Sequence, residues 1–136
     1  MNDQILPLFV ASGFAACQLM LADMSLAEVR DFITIDHCYD GDTCRTTSGE
    51  RIRLACIDAP EIRGRPFEYA RAVAARDRLQ TLVVGQSVTI RRITRDRFGR
   101  TVGELFVDGA NVQQILVADR FALIHPRYAH QCPWSQ

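Results

Sequence analysis

The run IDHCYDGDTCRTTSGERIRLACIDAPE, residues 35–61, decides the fold. Asp40-Gly41-Asp42-Thr43 has turn chemistry and feeds a strand, and Thr47-Ser48-Gly49-Glu50 turns the chain back. Arg51 to Ile57 then reads as a return strand ending at Asp58-Ala59-Pro60-Glu61. An antiparallel hairpin brings the start of its first strand beside the end of its second, so Asp42 and Asp58 are expected at one end of the sheet. Two carboxylates forced together raise each other's pKa unless a cation lies between them. A hard divalent ion with oxygen ligands answers that need. Alternation along the return strand puts Ile52, Leu54 and Cys56 on one face and Arg51, Arg53 and Ala55 on the other. Arg53 thereby shares the hairpin with both aspartates.

Outward from this hairpin the chain reads in order. Val29, Phe32, Ile33 and Ile35 mark a preceding strand within Glu28–Tyr39. Beyond a polar loop at 62–66, Ala72, Ala75, Leu79, Leu82 and Val83 recur at helical steps until Gly85. Ser87–Thr94 alternates as a strand, Arg95-Asp96-Arg97-Phe98-Gly99 turns, and Arg100–Val107 is a further strand. Asp108-Gly109 turns again, and Asn111 is placed to cap a helix burying Val112, Ile115 and Leu116. This order predicts a small α+β domain, mainly β with antiparallel pairing; a five-stranded barrel of oligonucleotide-binding type fits it, and so does an open sheet.

At 136 residues the chain holds one core, and 16 basic against 16 acidic residues give no net attraction for a polyanion. Distribution says more than balance. Every base other than histidine is arginine, and Arg91, Arg92, Arg95, Arg97 and Arg100 crowd one strand and turn against Asp96 alone. Such a run is either a solvated face or a surface for bidentate phosphate binding.

The segment Ile5–Ala22 is apolar but broken by Pro7, Ser12, Gly13 and Gln18, and Ser25-Leu26-Ala27 resembles a cleavage site. Residues 1–27 are therefore expected to be a signal peptide or membrane anchor, although no basic residue precedes the apolar run. Phe14-Ala15-Ala16-Cys17 is a weaker lipobox alternative. Residues 28–136 would form the domain, exported to the periplasm, envelope or medium. Membrane contact would require the segment to be retained or lipidated. Cys38, Cys44, Cys56 and Cys132 then remain, an even number for an oxidising compartment, with all three pairings open. No Cys-x-x-Cys pair exists to suggest zinc.

Asp40-Gly41-Asp42-Thr43, Arg53-Leu54-Ala55-Cys56-Ile57-Asp58-Ala59-Pro60-Glu61 and Asp96-Arg97-Phe98-Gly99-Arg100, in this order, resemble the staphylococcal-nuclease (thermonuclease) family from about Ile33 to Tyr128. Phosphodiester hydrolysis needs a cation, a group that orients or deprotonates water, and donors for a crowded anionic phosphorus. Asp42, Asp58 and the main-chain carbonyl of Ala59 would hold the metal with water. Glu61 would act on the attacking water, and Arg53 and Arg100 would grip phosphate oxygens. The resemblance implies these roles at these positions, with Asp40 as a further acid near the metal. It also implies the barrel with two or three packed helices, one calcium ion, and DNA or RNA as substrate with little sequence preference. Its products would be 3′-phosphorylated.

The sequence departs from the family pattern beside the nucleotide. Arg97 and Phe98 stand where lysine and tyrosine are usual, keeping charge but losing a hydroxyl. Tyr128 keeps one aromatic position, and Pro126 replaces the other. Arg97, Phe98 and Tyr128 are thus the expected substrate contacts in an altered base pocket. A barrel that binds nucleic acid without cleaving it, and a secreted calcium-binding interaction domain, are the competing classes. Neither explains why both arginines and Glu61 accompany the aspartates. No oligomerisation signal stands out, and a monomer is expected.

Overall fold

A computed structural model describes residues 30–136. The expected signal or anchor over residues 1–27 lies outside the described residues, as does Cys17. The strands are β1 (Asp31–Ile33), β2 (Ile35–Asp40), β3 (Thr43–Thr46), β4 (Arg51–Leu54), β5 (Ile57–Asp58), β6 (Val88–Arg95), β7 (Thr101–Val107), β8 (Ala110–Asn111) and β9 (Leu123–Ile124). The helices are α1 (Tyr69–Val83) and α2 (Val112–Ala118), and the chain from Ala129 to Ser135 forms two short 3-10 turns.

The hairpin anticipated from sequence is β3–β4, with Thr43 opposite Arg53 and Arg45 opposite Arg51. Gly49 turns it at φ 92°, a conformation that favours glycine. The larger sheet runs β1-β6-β7-β4-β3-β2, with β8 added beside β7. β1 and β2 are consecutive in the chain, joined at Thr34, yet occupy opposite edges of that sheet. The sheet must curl to bring its edges together. The result is a mixed, half-barrel sheet carrying two helices, consistent with an oligonucleotide-binding-type architecture.

Two expectations change here. The sheet does not close into a five-stranded barrel, and pairing is not antiparallel throughout, because β4 runs parallel to β7. The physical reason lies at Ala55-Cys56. Cys56 adopts φ 69°, which throws the chain off the sheet, so the return strand stops at Leu54 instead of running to Ile57. Ile57-Asp58 then pairs separately with Leu123-Ile124. Across the opening, a single parallel bridge joins Ile35 to Val84 at the end of α1.

Both helices pack into the core of the sheet. Ala72, Ala75, Leu79 and Val83 of α1 are buried, and the core joins the last three to Ile35, Cys38, Ile52, Leu54, Ile90 and Leu105. Asp108 (φ 51°) and Gly109 (φ 77°) make a tight turn between β7 and β8. Asn111 caps α2 as expected, its Oδ1 accepting from Gln114 N at 3.0 Å. The buried face of α2 is Val112, Gln113 and Leu116, however, with Ile115 only half-buried. Gln113 is the surprise. It is fully enclosed, accepting from Leu105 N and donating to Gly103 O, so it satisfies backbone groups where the sheet splays.

Disulfides join Cys38 to Cys44 across β2–β3 and Cys56 to Cys132 over a separation of 76 residues. A loop of that length restrains the unfolded chain by about 4 kcal/mol in the chain-entropy picture.

Candidate active site

Asp40, Gly41 and Asp42 form the turn into β3, pressed against α1. A Cβ on Gly41 would stand 2.7 Å from the Cβ atoms of both Ala59 and Ala75. Glycine here, with alanines opposite, lets turn, helix and post-β5 loop converge. The Asp42 carboxylate is consequently buried. It accepts from Thr43 Oγ1 (3.1 Å) and from Ala59 N (2.8 Å), and Arg53 Nη2 lies 3.3 Å away. The same Nη2 is 3.6 Å from Asp58 Oδ1. Arg53 is fixed from behind, its Nη1 donating to Leu54 O (2.7 Å) and Ile57 O (3.0 Å). Those carbonyls face it because the chain kinks at Cys56.

Charge around Asp42 is not balanced. Burial pushes its pKa up to about 6, Arg53 pulls it back only in part, and the neighbouring Asp40 raises it further. The donors gathered here are hard oxygens, the chemistry that suits calcium, and the cluster carries a carboxylate short of positive charge. Among the described residues no group of three or more His, Cys, Asp or Glu side chains is close enough to hold an ion by itself. Asp42 and Asp58 alone therefore fall short of a full oxygen set for such an ion.

Arg53 and Asp58 line a cavity of about 540 Å³ whose other walls include Arg95, Arg97, Phe98, Arg100 and Tyr128. The β6–β7 turn is organised by Asp96, which accepts from Phe98 N, Arg100 N and Arg100 Nε. Burial opposes ionisation of Asp96, but these donors outweigh it and hold its pKa below the usual carboxylate value. Arg100 is thus steered through Nε, the Asp96 pair leaving its terminal nitrogens for other partners. Arg97 and Arg100 lie over the Phe98 ring at 4.8 and 5.3 Å, and Arg51 donates to Phe98 O. Tyr128 packs at 4.8 Å on His125, whose N–H is held by Cys56 O.

The sequence of the chain matches the family described as staphylococcal nuclease homologue over residues 51–134. This chain belongs to that family. It is 38% identical to a protein of Escherichia coli described as an uncharacterized endonuclease, over 93 residues, 65% of this chain and 58% of that protein. A protein of Arabidopsis thaliana described as a staphylococcal-like nuclease is 33% identical over 78 residues, 57% of this chain and 23% of the relative. The chain thus spans well under two thirds of the length of these relatives. The matched family region begins at Arg51, so Arg53, Asp58, Glu61 and Arg100 fall within it, and Asp40 and Asp42 are joined to it by the β3–β4 hairpin.

The fold places Arg53 against both Asp42 and Asp58, and sets Arg97, Phe98, Arg100 and Tyr128 around one cavity with Arg53 and Asp58. Glu61 is exposed and lines a neighbouring cavity, which shares Asp58 with the first. Ala59 lines that second cavity too, its N–H committed to Asp42. The arginine run divides. Arg91 pairs with Glu104, and Arg92 pairs with Glu50 and Asp31, so both serve the fold, whereas Arg95, Arg97 and Arg100 face the cavity. Asp96, His125 and Gln131 were not singled out for the site from sequence, and Arg95 entered only as part of the arginine run. Only Asp96 carried a local signal, being the lone acid in a basic turn. His125 and Gln131 are brought in by the β5–β9 pair and the Cys56–Cys132 disulfide, which sequence leaves open.

Proposed function

We propose that this chain is a calcium-dependent phosphodiesterase that hydrolyses DNA or RNA with little sequence preference to 3′-phosphorylated products. The observation that carries the reading is Arg53, whose guanidinium is anchored on two carbonyls and bridges the Asp42 and Asp58 carboxylates at a cavity walled by further arginines. Calcium held by Asp42, Asp58 and the Ala59 carbonyl, with Asp40 nearby, would supply positive charge to the scissile phosphate and its attacking water. Arg53 and Arg100 grip non-bridging oxygens, Arg100 oriented for this by Asp96. Glu61 takes the proton of the attacking water; the new P–O bond forms as the P–O5′ bond breaks, and the departing O5′ takes a proton from solvent, leaving a 3′-phosphate and a 5′-hydroxyl. Arg97 holds a further phosphate, while Phe98 and Tyr128 flank the nucleotide. Two disulfides support an exported protein, since such bonds persist in oxidising compartments.

The test is incubation of the purified protein with single-stranded DNA in calcium or in EDTA, beside Glu61→Ala, with analysis of product ends. Calcium-dependent 3′-phosphate ends, reduced in the variant by about a hundredfold or more, are expected. Intact DNA under every condition, from protein shown to be folded, overturns the reading.

A further inference from the structure

Basic chemistry continues beyond the first cavity. The neighbouring cavity, about 410 Å³, has Arg65, Arg71 and Arg120 among its walls and shares Asp58 with the first. No ion pair among the described residues involves any of these three arginines. Arg120 is held in a conformation that is unfavourable for arginine. It closes α2 with Arg120 N bonded to Val117 O and Phe121 N to Leu116 O, the helix-ending motif whose last residue is ordinarily glycine, and its φ is 63°. A local strain retained at a concave, charged place is a pointer to binding. Arg65 and Arg71 bracket the run Arg65-Pro66-Phe67-Glu68-Tyr69-Ala70-Arg71, in which Phe67 is 76% and Tyr69 55% exposed. Arginines interleaved with exposed aromatic rings are the make-up of a single-strand platform, where phosphates meet the cations and bases stack on the rings.

We propose that this second cavity is a phosphate subsite for the single strand where it continues past the scissile bond, Arg65, Arg71 and Arg120 holding its backbone, with Phe67 and Tyr69 exposed on the adjoining run outside the cavity's walls. The inference rests on the nuclease reading above for the position of that bond. Asp58, Glu61 and Glu68 also line the cavity and match the arginines in number. Its pull on a polyanion is therefore short-range hydrogen bonding, which favours a strand already engaged at Asp58 over one arriving from solution. A substrate with one phosphodiester would fill the first cavity only, and a longer strand would use both.

The experiment compares the full chain with Arg71→Gln/Arg120→Gly on a dinucleotide and on a single strand of roughly a dozen nucleotides. The expected result is KM for the longer strand raised about tenfold or more, dinucleotide cleavage within about twofold, and an unfolding midpoint unchanged or higher because glycine relieves the strain. Equal losses on both substrates, or none on either, overturn the subsite. Binding of the longer strand in EDTA separates this from the nuclease reading. There the slope of log affinity against log salt should fall by about 0.7 for each phosphate contact removed. A changed slope in a protein that cuts nothing leaves the subsite standing and removes the nuclease. An unchanged slope in an active enzyme does the opposite.

Discussion

Asp42 and Glu104 are carboxylates of one sheet, 4% and 3% exposed, and they are treated in opposite ways. Glu104 is saturated: Oε2 accepts from Arg91 Nε at 2.7 Å, and Oε1 accepts from Asn111 Nδ2 at 3.2 Å and Trp134 Nε1 at 2.6 Å. It ties β6, β7, the α2 cap and the C-terminal turns into one node. Asp42 is buried as deeply but has Asp40 pressing on it and a single arginine, shared with Asp58, at longer range. A carboxylate whose lone pairs are all answered by its own chain is a strut. One left short of positive charge, on an arginine that itself walls a cavity, is a place prepared for something else.

The contrast is broken most directly by removing each charge. Asp42→Asn should reduce phosphodiester cleavage by about a thousandfold while leaving the unfolding midpoint in EDTA unchanged or raised, since the amide relieves a charge that burial disfavours. Single-turnover kinetics and thermal melts read the two halves. Cleavage within tenfold of the parent would remove Asp42 from the reacting centre. Glu104→Ala should do the reverse. Arg91 Nε, Asn111 Nδ2 and Trp134 Nε1 all lose the Glu104 acceptor, while Gln131 O still accepts from Arg91. The expected cost is about 3 kcal/mol in urea unfolding, with the folded protein still cutting. A loss below about 1 kcal/mol would mean the node is not a strut, and the contrast with Asp42 would fail.

The two regions also differ in how far sequence reveals them. The Asp42 side was legible because its chemistry is local. Turn residues at Asp40-Gly41-Asp42 and Gly49 fix a hairpin, and a hairpin's register alone places Thr43 opposite Arg53. Glu104 and Gln113 were invisible, since both sit in runs that read as apolar elements and their partners come from Arg91, Asn111, Trp134, Ala55 and Gly103. Such pairings depend on which strands neighbour each other. The break at Cys56 was hidden for a related reason. In sequence Ile52, Leu54 and Cys56 continue one apolar face past the break, and only the tertiary pull of Cys132 and the β5–β9 pair accompanies the positive φ. That break opened the barrel, turned the pairing beyond β4, and supplied the carbonyl of Ile57 that holds Arg53.

Glu50 gives the comparison a third, milder point. It is half-buried and well answered, with Arg92 Nη2 at 2.8 Å, Arg92 Nε at 3.1 Å and Thr101 Oγ1 at 2.7 Å. The Arg92 hydrogen bonds lead in holding its pKa below the ordinary value of 4.5, burial opposes them, and Thr101 adds to the lowering. The folded protein therefore binds fewer protons at this group than the unfolded chain. Its contribution to stability is fully present above pH 4.5 and is lost as pH falls through the depressed folded value. Solvent screening of so exposed a pair keeps that contribution near 0.5 kcal/mol. Glu50→Gln should flatten this part of the acid limb in urea unfolding between roughly pH 5 and pH 3 and leave cleavage at neutral pH unaltered. An acid limb identical to the parent's would show that donors gathered on a carboxylate at the surface count for nothing, and that burial, which Asp42 and Glu104 share, is what makes the pairing of a carboxylate matter.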